Sequence, residues 1–292
     1  MRCLITGSAG YIGSALFRKL SSVPTNKVIG FDRSPSETTT KVCDLAETIP
    51  LNERVDIVYH LAGLYEKDYD RPPFFSIEDY IRDNVKTTER VLNYVKCNQC
   101  HIVFTSSLLI SENPIPYSYY SKSKALAEKA ILEAKSCSSV ICRLPRVIGI
   151  PDDPNGTEFL KQNGLPCDIV SKFISEIIEK GVLKIYSGQL KRNYIHLNES
   201  IDCLQACCDF SGIFDARIYE SISIKRIANI LMELVKSSGL QLSIIQINPN
   251  VVQPVISNEV NVLIDKIVPH FPNCDELFRN VATKYFKANK KI

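Results

Sequence analysis

Apolar residues in the first half of the chain form short runs, and these alternate with longer stretches in which apolar residues recur every three to four positions. Short apolar runs bounded by turn residues predict buried strands, and the longer period predicts amphipathic helices. We predict strands near residues 2–6, 27–31, 41–43, 55–59, 101–106 and 139–143, and helices near 11–21, 74–97 and 119–136. This alternation predicts an α/β fold with a Rossmann-type, doubly wound parallel sheet.

Three glycines lie between the first predicted strand and the first predicted helix. Gly7, Gly10 and Gly13 are spaced three residues apart, and the helical pattern continues from Tyr11 without proline. The first two glycines, lacking Cβ atoms, let backbone N–H groups approach a pyrophosphate, and Gly13 lets the helix pack close to the strand. The spacing predicts a dinucleotide site, although glycines alone also occur in ordinary strand-to-helix loops.

An acidic residue, Asp32, follows the second apolar run at close to the distance of roughly 20 residues that suits contact with an adenosine ribose. Its carboxylate would accept hydrogen bonds from the ribose hydroxyls and repel a 2′-phosphate, which favours NAD. The neighbouring Arg33 would partly offset that repulsion. NADP therefore stays open as an alternative coenzyme.

The candidate catalytic residues are Ser107, Tyr120 and Lys124. Tyr120 and Lys124 are four residues apart on a predicted helix, and hence lie on one helical face. Because an adjacent ammonium lowers the pKa of a phenol from about 10, Lys124 would let Tyr120 accept a proton, and Ser107 would hydrogen-bond the reacting oxygen. Such a Tyr-x-x-x-Lys string also arises by chance, but its position after a Gly-rich turn favours the catalytic interpretation.

Composition narrows the functional classes. The chain has 292 residues, of which 45% are hydrophobic and 23% charged, and its net charge is +3. These values are typical of a globular protein and do not indicate nucleic-acid binding. The first strand begins directly after Met1, and no apolar run approaches the roughly 18 residues of a membrane span. We therefore expect a cytoplasmic protein without a membrane partner.

Eleven cysteines and four histidines raise the question of metal or haem binding. Several cysteines fall inside predicted strands or helices, where a thiol acts as a small apolar residue. Cys97-Asn-Gln-Cys100-His101 matches the haem-attachment string, but it straddles a helix end and a strand start. The histidines lack the spacing of metal ligands, so we predict no metal site.

The strand–helix alternation ends after about Gly149, where turn-forming residues at 151–156 precede a predicted amphipathic helix at 169–180 and a strand at 183–186. We expect residues 1–149 to form a dinucleotide-binding domain to which later segments return. Residues 150–292 are expected to form mainly a smaller substrate-binding lobe.

The combined motifs resemble an extended short-chain dehydrogenase/reductase of the NAD-dependent epimerase/dehydratase family, and are most similar to those of UDP-galactose 4-epimerase-like nucleotide-sugar enzymes. The resemblance is carried by Thr6 to Gly13, Asp44-Leu45, His60 to Gly63, Asn84 to Thr88, Phe104 to Ser107, Tyr120 to Lys124, Arg192 to His196 and Pro269 to Tyr285. It implies an enzyme in which Ser107, Tyr120 and Lys124 are catalytic.

The same resemblance implies residues that bind the coenzyme and the substrate. The implied coenzyme-binding residues are Gly7, Gly10, Tyr11, Ile12, Gly13, Asp32, Arg33, Asp44, Leu45, Leu61, Ala62, Gly63, Asn84, Thr105, Tyr120, Lys124 and Pro145. The implied substrate-binding residues are Ser107, Arg146 and Arg192, with Arg192 on the diphosphate of a nucleotide sugar. The helices near 74–97 and 119–136 resemble those through which the family forms homodimers.

The sequence also departs from the family pattern. Leu108-Leu109 follow Ser107 where family dehydratases carry an Asp-Glu pair, which disfavours the elimination of water, and Arg146 stands where the family often has an asparagine. Three functions remain open: a nucleotide-sugar 4-epimerase, a nucleotide-4-keto-sugar reductase or other secondary-alcohol dehydrogenase, and a non-catalytic dinucleotide-binding regulator. The intact serine, tyrosine and lysine argue against the regulator.

Overall fold

The computed structural model describes residues 1–50, 53–65, 75–113, 118–134, 138–151, 168–186, 188–237, 243–247, 255–256 and 270–288. The strands among these residues are β1 Arg2–Thr6, β2 Lys27–Asp32, β3 Lys41–Val42, β4 Ile57–His60, β5 His101–Ser107, β6 Glu112–Asn113, β7 Ser139–Leu144, β8 Arg146–Ile148, β9 Val182–Tyr186, β10 Lys191–Arg192, β11 Tyr194–His196, β12 Gly212–Asp215, β13 Ile222–Ser223, β14 Ser243–Ile247 and β15 Val255–Ile256. The α-helices are α1 Tyr11–Ser21, α2 Ile77–Tyr80, α3 Thr87–Asn98, α4 Tyr119–Glu133, α5 Ile169–Lys180, α6 Leu197–Ala206, α7 Ile224–Ser237 and α8 Cys274–Ala288.

Seven strands form one parallel sheet in the order β12-β7-β5-β4-β1-β2-β3. The strand order reverses between β1 and β4, which is the point where ligands bind in sheets of this type. This arrangement, with its flanking helices, confirms the predicted Rossmann-type α/β fold. The carboxyl ends of the strands bring Thr6, Asp32, His60 and Ser107 to one edge of the sheet.

The strands of this sheet are buried because helices cover them. All four residues of β4 are buried, and so are six of the seven residues of β5. One cluster joins Leu4, Val58, Phe104 and Ile141 of the sheet to apolar residues of α3 and α4. Burying one such side chain contributes roughly 1.5–3 kcal/mol, so this cluster holds the two helices on the sheet.

The chain divides into two compact units. The first comprises residues within Met1–Leu144, Ile201–Ala216 and Ile256–Lys266, and it contains the seven-stranded sheet. The second comprises residues within Pro145–Ser200, Arg217–Val255 and Ile267–Ile292. In the second unit β8 pairs with β11 and β9 with β14, both in parallel, whereas β10 and β13 pair in antiparallel. The functional division between residues 1–149 and 150–292 stays a prediction.

One predicted helix differs from the structure. The helix expected over 74–97 is interrupted by a π-helical segment at Ile81–Lys86 between α2 and α3. The interruption coincides with Asn84, whose side chain bonds to residues outside the helix. Residue 74 and the turn at 152–156 lie outside the described residues, as do residues 135–136 of the helix expected at 119–136.

Candidate active site

The loop from β1 to α1 has the backbone shape that the glycine spacing predicts. Gly7 adopts a φ of +75°, and its N–H donates to the carbonyl oxygen of Phe31 at 2.8 Å. A Cβ on Gly13 would lie 2.0 Å from the carbonyl oxygen of Gly7. The helix therefore begins in direct contact with the loop, and Gly10 caps it without a side-chain bond. Backbone N–H groups at the start of such a helix can bind a pyrophosphate.

Gly13→Ala is expected to lower the free energy of unfolding by about 1–3 kcal/mol, because the new methyl group overlaps the Gly7 carbonyl. Gly10→Ala is the matched control, since its Cβ would lie 3.2 Å from the same oxygen and should cost less than about 1 kcal/mol. Denaturant unfolding of both variants measures the difference. Equal losses would mean that the contact between helix and loop is not tight at Gly13.

Asp32 lies at the carboxyl end of β2, next to this loop. Its Oδ2 accepts the N–H of Ala9 at 3.0 Å, and its Oδ1 accepts the N–H of Ser34 at 2.9 Å. These two bonds orient the carboxylate between the Gly-rich loop and the end of the strand. Further lone pairs on both oxygens can accept from ribose hydroxyls.

Two other predicted coenzyme residues, Asp44 and Leu45, follow β3. Leu45 is buried in the core of the first unit. The Asp44 carboxylate accepts from the Arg82 guanidinium and, at 2.9 Å, from the N–H of Ala46. Burial acts to raise the pKa of Asp44, but these two bonds and the charge of Arg82 outweigh it and place that pKa below its usual value. Asp44 is therefore an anion.

A buried hydrogen-bond chain lies behind residues 61–63. Thr6 Oγ1 lies 2.7 Å from His60 Nδ1, and His60 Nε2 lies 2.9 Å from Thr88 Oγ1. Burial, together with the nearby charge of Lys124, lowers the pKa of His60 to about 3, so the imidazole is neutral. Thr88 Oγ1 donates to the Asn84 carbonyl at 2.6 Å, which leaves it to accept from His60 Nε2–H. The Ala62 N–H completes the chain by donating to Thr6 Oγ1 at 3.2 Å.

Asn84 joins the segment after β4 to the predicted catalytic helix. Its Oδ1 accepts the N–H of Leu64 at 2.7 Å, and its Nδ2 donates to Ser123 Oγ in α4 at 2.7 Å. The side chain is almost fully buried. Asn84 thus fixes the backbone beside Leu61, Ala62 and Gly63, and its own contact with a coenzyme stays a prediction.

Lys124 is a buried ammonium on α4. Its Nζ donates to the Thr105 carbonyl at 2.9 Å and lies 4.8 Å from the centroid of the Phe104 ring, and the residue is 6% exposed. Burial lowers the pKa of Lys124 to about 8, and the carboxylate of Glu128 partly opposes that shift. Lys124 therefore holds a positive charge at the end of β5 near neutral pH.

Tyr120 lies at the start of α4, and Ser107 lies at the end of β5. Tyr120 is in the first turn of α4, which begins after the cap of Ser118, and its ring makes an edge contact with Tyr80 at a centroid distance of 6.3 Å. Ser107 ends β5, and its Oγ accepts the N–H of Leu109 at 3.3 Å. Lys124 binds the backbone two residues before Ser107 and lies one helical turn from Tyr120, so one part of the first unit contains all three residues.

Glu128 and Arg143 were not predicted from the sequence, yet they form the ionic contact behind Lys124. Glu128 accepts from Arg143 Nε at 2.9 Å and from Arg143 Nη2 at 2.7 Å, and Ser106 Oγ donates to it at 2.5 Å. Glu128 is 4% exposed. The available signals were a glutamate four residues after Lys124 and an arginine inside the apolar run of β7.

The predicted coenzyme residue Pro145 and the predicted substrate residues Arg146 and Arg192 belong to the second unit. Arg146 begins β8 opposite Tyr194 of β11, and its N–H donates to the Asn193 carbonyl at 3.2 Å. Arg192 Nη1 donates to the carbonyl of Lys191 at 3.1 Å. Burial raises the pKa of Tyr194 to about 12, while the charges of Arg146 and Arg192 act to lower it. The two guanidinium groups thus lie near the same tyrosine.

Within the described ranges, no group of three or more histidine, cysteine, aspartate or glutamate side chains could hold a metal ion. The nine cysteines of those ranges are free thiols. Cys97 and Cys100 lie on either side of the end of α3, as the sequence indicates. No helix in the described part of the chain is both long and apolar enough to cross a membrane.

One family model matches most of the chain, and solved structures share its fold. The model of the NAD dependent epimerase/dehydratase family matches residues 3–211, whereas no curated protein matches significantly. The chain is similar to UDP-glucuronic acid 4-epimerase from Bacillus cereus in complex with NAD, at 19% identity over 100% of both chains and a TM-score of 0.75.

Two further solved structures show that different activities share this fold. A UDP-galactose 4-epimerase has a TM-score of 0.76 and 19% identity over 99% of both chains. An NAD dependent NDP-hexosamine 5,6-dehydratase involved in tunicamycin biosynthesis has a TM-score of 0.75 and 19% identity over 98% of both chains. The fold is therefore common to epimerases and a dehydratase, and the choice between them depends on the site.

Proposed function

Because the chain belongs to the NAD dependent epimerase/dehydratase family, we propose that it is a nucleotide-sugar 4-epimerase. Membership confirms the predicted family and NAD as the family's coenzyme. The observation that carries the proposal is the buried Lys124 ammonium, which is bonded to the Thr105 carbonyl one helical turn from Tyr120. This arrangement is suited to acid–base chemistry at a secondary alcohol.

The first unit fits a bound dinucleotide. The helix start at Gly10 offers backbone N–H groups, and the contact between Gly13 and Gly7 leaves no space for a side chain beneath them. Asp32 is held beside the same loop with lone pairs for the ribose hydroxyls. When bound, NAD supplies the hydride acceptor and donor. The chain's own residues supply the proton chemistry.

Tyr120 removes the proton from the sugar C4 hydroxyl and later returns it to the same oxygen. The positive charge of Lys124 favours the phenolate of Tyr120, since opposite charges stabilise each other in a buried site. Ser107 Oγ donates a hydrogen bond to the reacting oxygen while its own lone pair accepts the Leu109 N–H. The net proton balance is zero, as an epimerisation requires.

The residues after Ser107 favour epimerisation over dehydration. Leu108 and Leu109 form a short 3₁₀ turn, and Leu108 is 2% exposed. Neither side chain can donate or accept a proton, whereas eliminating water needs an acid and a base at the substrate. This observation supports the epimerase over a dehydratase.

Arg192 and Arg146 are the proposed substrate contacts of the second unit. A guanidinium can form two parallel hydrogen bonds to a diphosphate, which suits a nucleotide sugar. We infer that residues 150–292 act mainly as the substrate-binding lobe. We also infer a homodimer formed through α3 and α4, because Leu126 and Leu132 of α4 are 45% and 51% exposed.

Analysis of the coenzyme released from purified protein tests the proposal together with an epimerase assay. We expect denatured protein to release NAD, and the native protein to interconvert C4 epimers of a UDP-hexose without consuming coenzyme. Protein that is purified empty and oxidises NADPH stoichiometrically with a 4-keto sugar would support the reductase instead. Binding of coenzyme without turnover of any UDP-sugar would support the regulator.

A further inference from the structure

Four charged side chains form a continuous ion-pair chain beside Asp32 in the first unit. The chain runs from Arg33 through Asp83 and Arg82 to Asp44. Arg33 Nη2 lies 2.7 Å from Asp83 Oδ2, and Arg82 Nη1 lies 2.6 Å from Asp83 Oδ1. Each Asp83 oxygen is therefore bound by a different arginine. We call this set the Asp83 ion-pair chain.

The two arginines depend on Asp83 to different degrees. Arg82 also binds Asp44, so it keeps a carboxylate partner without Asp83. Arg33 forms a close ion pair with Asp83 among the described residues, and the charge of Asp44 acts on it at longer range. The Asp83 side chain is 9% exposed and that of Arg33 is 48% exposed, so Arg33 extends from the surface to a nearly buried anion. A part-buried charge-assisted pair of this geometry fixes the guanidinium.

Arg33 is adjacent to Asp32, which the proposed NAD site assigns to the adenosine ribose. A 2′-phosphate at that ribose adds a charge of about −1.5 to −2, which needs an arginine close by to offset the repulsion from Asp32. The guanidinium of Arg33 is already held by the Asp83 carboxylate. A phosphate would have to compete with Asp83 for that guanidinium.

We propose that Asp83 is a specificity-determining residue that excludes NADP by holding Arg33 in an ion pair beside the adenosine ribose. The inference rests on the proposed function, because it assigns Asp32 to the ribose of a bound dinucleotide. It goes beyond that function by giving the choice between NAD and NADP to a residue 50 positions away from Arg33. Asp32 alone does not then determine the choice.

The test measures which coenzyme the protein retains. Wild-type protein, Asp83→Asn, Arg33→Met and the double variant are first freed of retained NAD, then equilibrated with equal concentrations of NADH and NADPH, separated from free coenzyme and denatured. We expect Asp83→Asn to raise the bound NADPH-to-NADH ratio by about tenfold, since Arg33 becomes free to bind the phosphate. The double variant should return to within about twofold of the wild-type ratio. Arg33→Met alone should not raise the ratio.

A ratio for Asp83→Asn within about twofold of wild type, or a raised ratio that persists in the double variant, would overturn the inference. Asp83→Ser, which also removes the charge, is expected to behave like Asp83→Asn and serves if the latter does not fold. If wild-type protein and every folded variant bound neither coenzyme, the proposed function itself would be wrong. NADH binding therefore distinguishes the two failures.

Discussion

Tyr120→Phe is expected to lower kcat for epimerisation by a factor of about 10²–10⁴, the range that a positioned general acid–base group contributes. The substitution removes only the phenolic oxygen. Its ring contact with Tyr80 and the bond from Lys124 to the Thr105 carbonyl should persist. Coenzyme content should therefore match that of the wild type. Steady-state kinetics and analysis of the released coenzyme measure the two quantities.

Tyr119→Phe provides the matched control for this substitution. Tyr119 is the preceding residue of the same helix and is 50% exposed, so loss of its hydroxyl should leave kcat within about twofold. An unchanged kcat in Tyr120→Phe would contradict the proton-transfer role and favour the non-catalytic regulator. Equal losses in both variants would indicate a general disturbance of α4.

Strands and helices that are specified by residues within them or next to them could be predicted from the sequence. The central strands are buried on both faces, and such strands give continuous apolar runs, as in β1 and β5. The amphipathic helix predicted at 169–180 has the bounds of α5, because Asp168 caps its start and Gly181 ends it in a left-handed conformation. In each case the responsible residues lie within a few positions of the element.

Features that depend on distant side chains could not be predicted in the same way. The π-helical segment at Ile81–Lys86 forms where Asn84 binds Leu64 and Ser123, 20 and 39 residues away. Helical periodicity carries no sign of these bonds. The pairing of Arg33 with Asp83 could not be predicted for the same reason, because the end of β2 meets the Ile81–Lys86 segment only in the folded protein.

The candidate site likewise combines features that local sequence patterns indicate with contacts between distant side chains that they do not indicate. The Gly-rich loop and the Tyr120–Lys124 spacing are local patterns, and the sequence indicates them directly. The ionic contact behind Lys124 involves Glu128 from α4 and Arg143 from β7, whose side chains meet only after the helix packs on the sheet. Nothing in either segment alone selects the partner. The carboxylate of Glu128 also favours the charged form of Lys124, so removing the contact between Glu128 and Arg143 should change both the stability of the fold and the pKa of Lys124.

Glu128→Gln is expected to lower the free energy of unfolding by about 3–5 kcal/mol, because it leaves Arg143 buried with reduced charge compensation. Arg143 has a second carboxylate, Asp215, but at 3.6 Å, whereas Glu128 binds it through two short bonds. The substitution also removes the carboxylate that opposes the lowering of the Lys124 pKa. That pKa should then fall below its value of about 8, and the alkaline limb of the kcat profile should move to lower pH.

Denaturant unfolding measures the stability change, and the pH dependence of kcat separates it from the electrostatic effect, since a purely structural role would not move the alkaline limb.

Glu133→Gln is the matched control on the same helix. Glu133 pairs with Lys129 at 3.7 Å, but both side chains are exposed, so its loss should cost less than about 0.5 kcal/mol. The triple variant Glu128→Leu/Arg143→Leu/Asp215→Asn should regain much of the stability, because it removes both charges of this contact and neutralises Asp215, which lies 3.6 Å from Arg143. A triple variant as unstable as Glu128→Gln would mean that lost packing, and not an uncompensated arginine, causes the destabilisation.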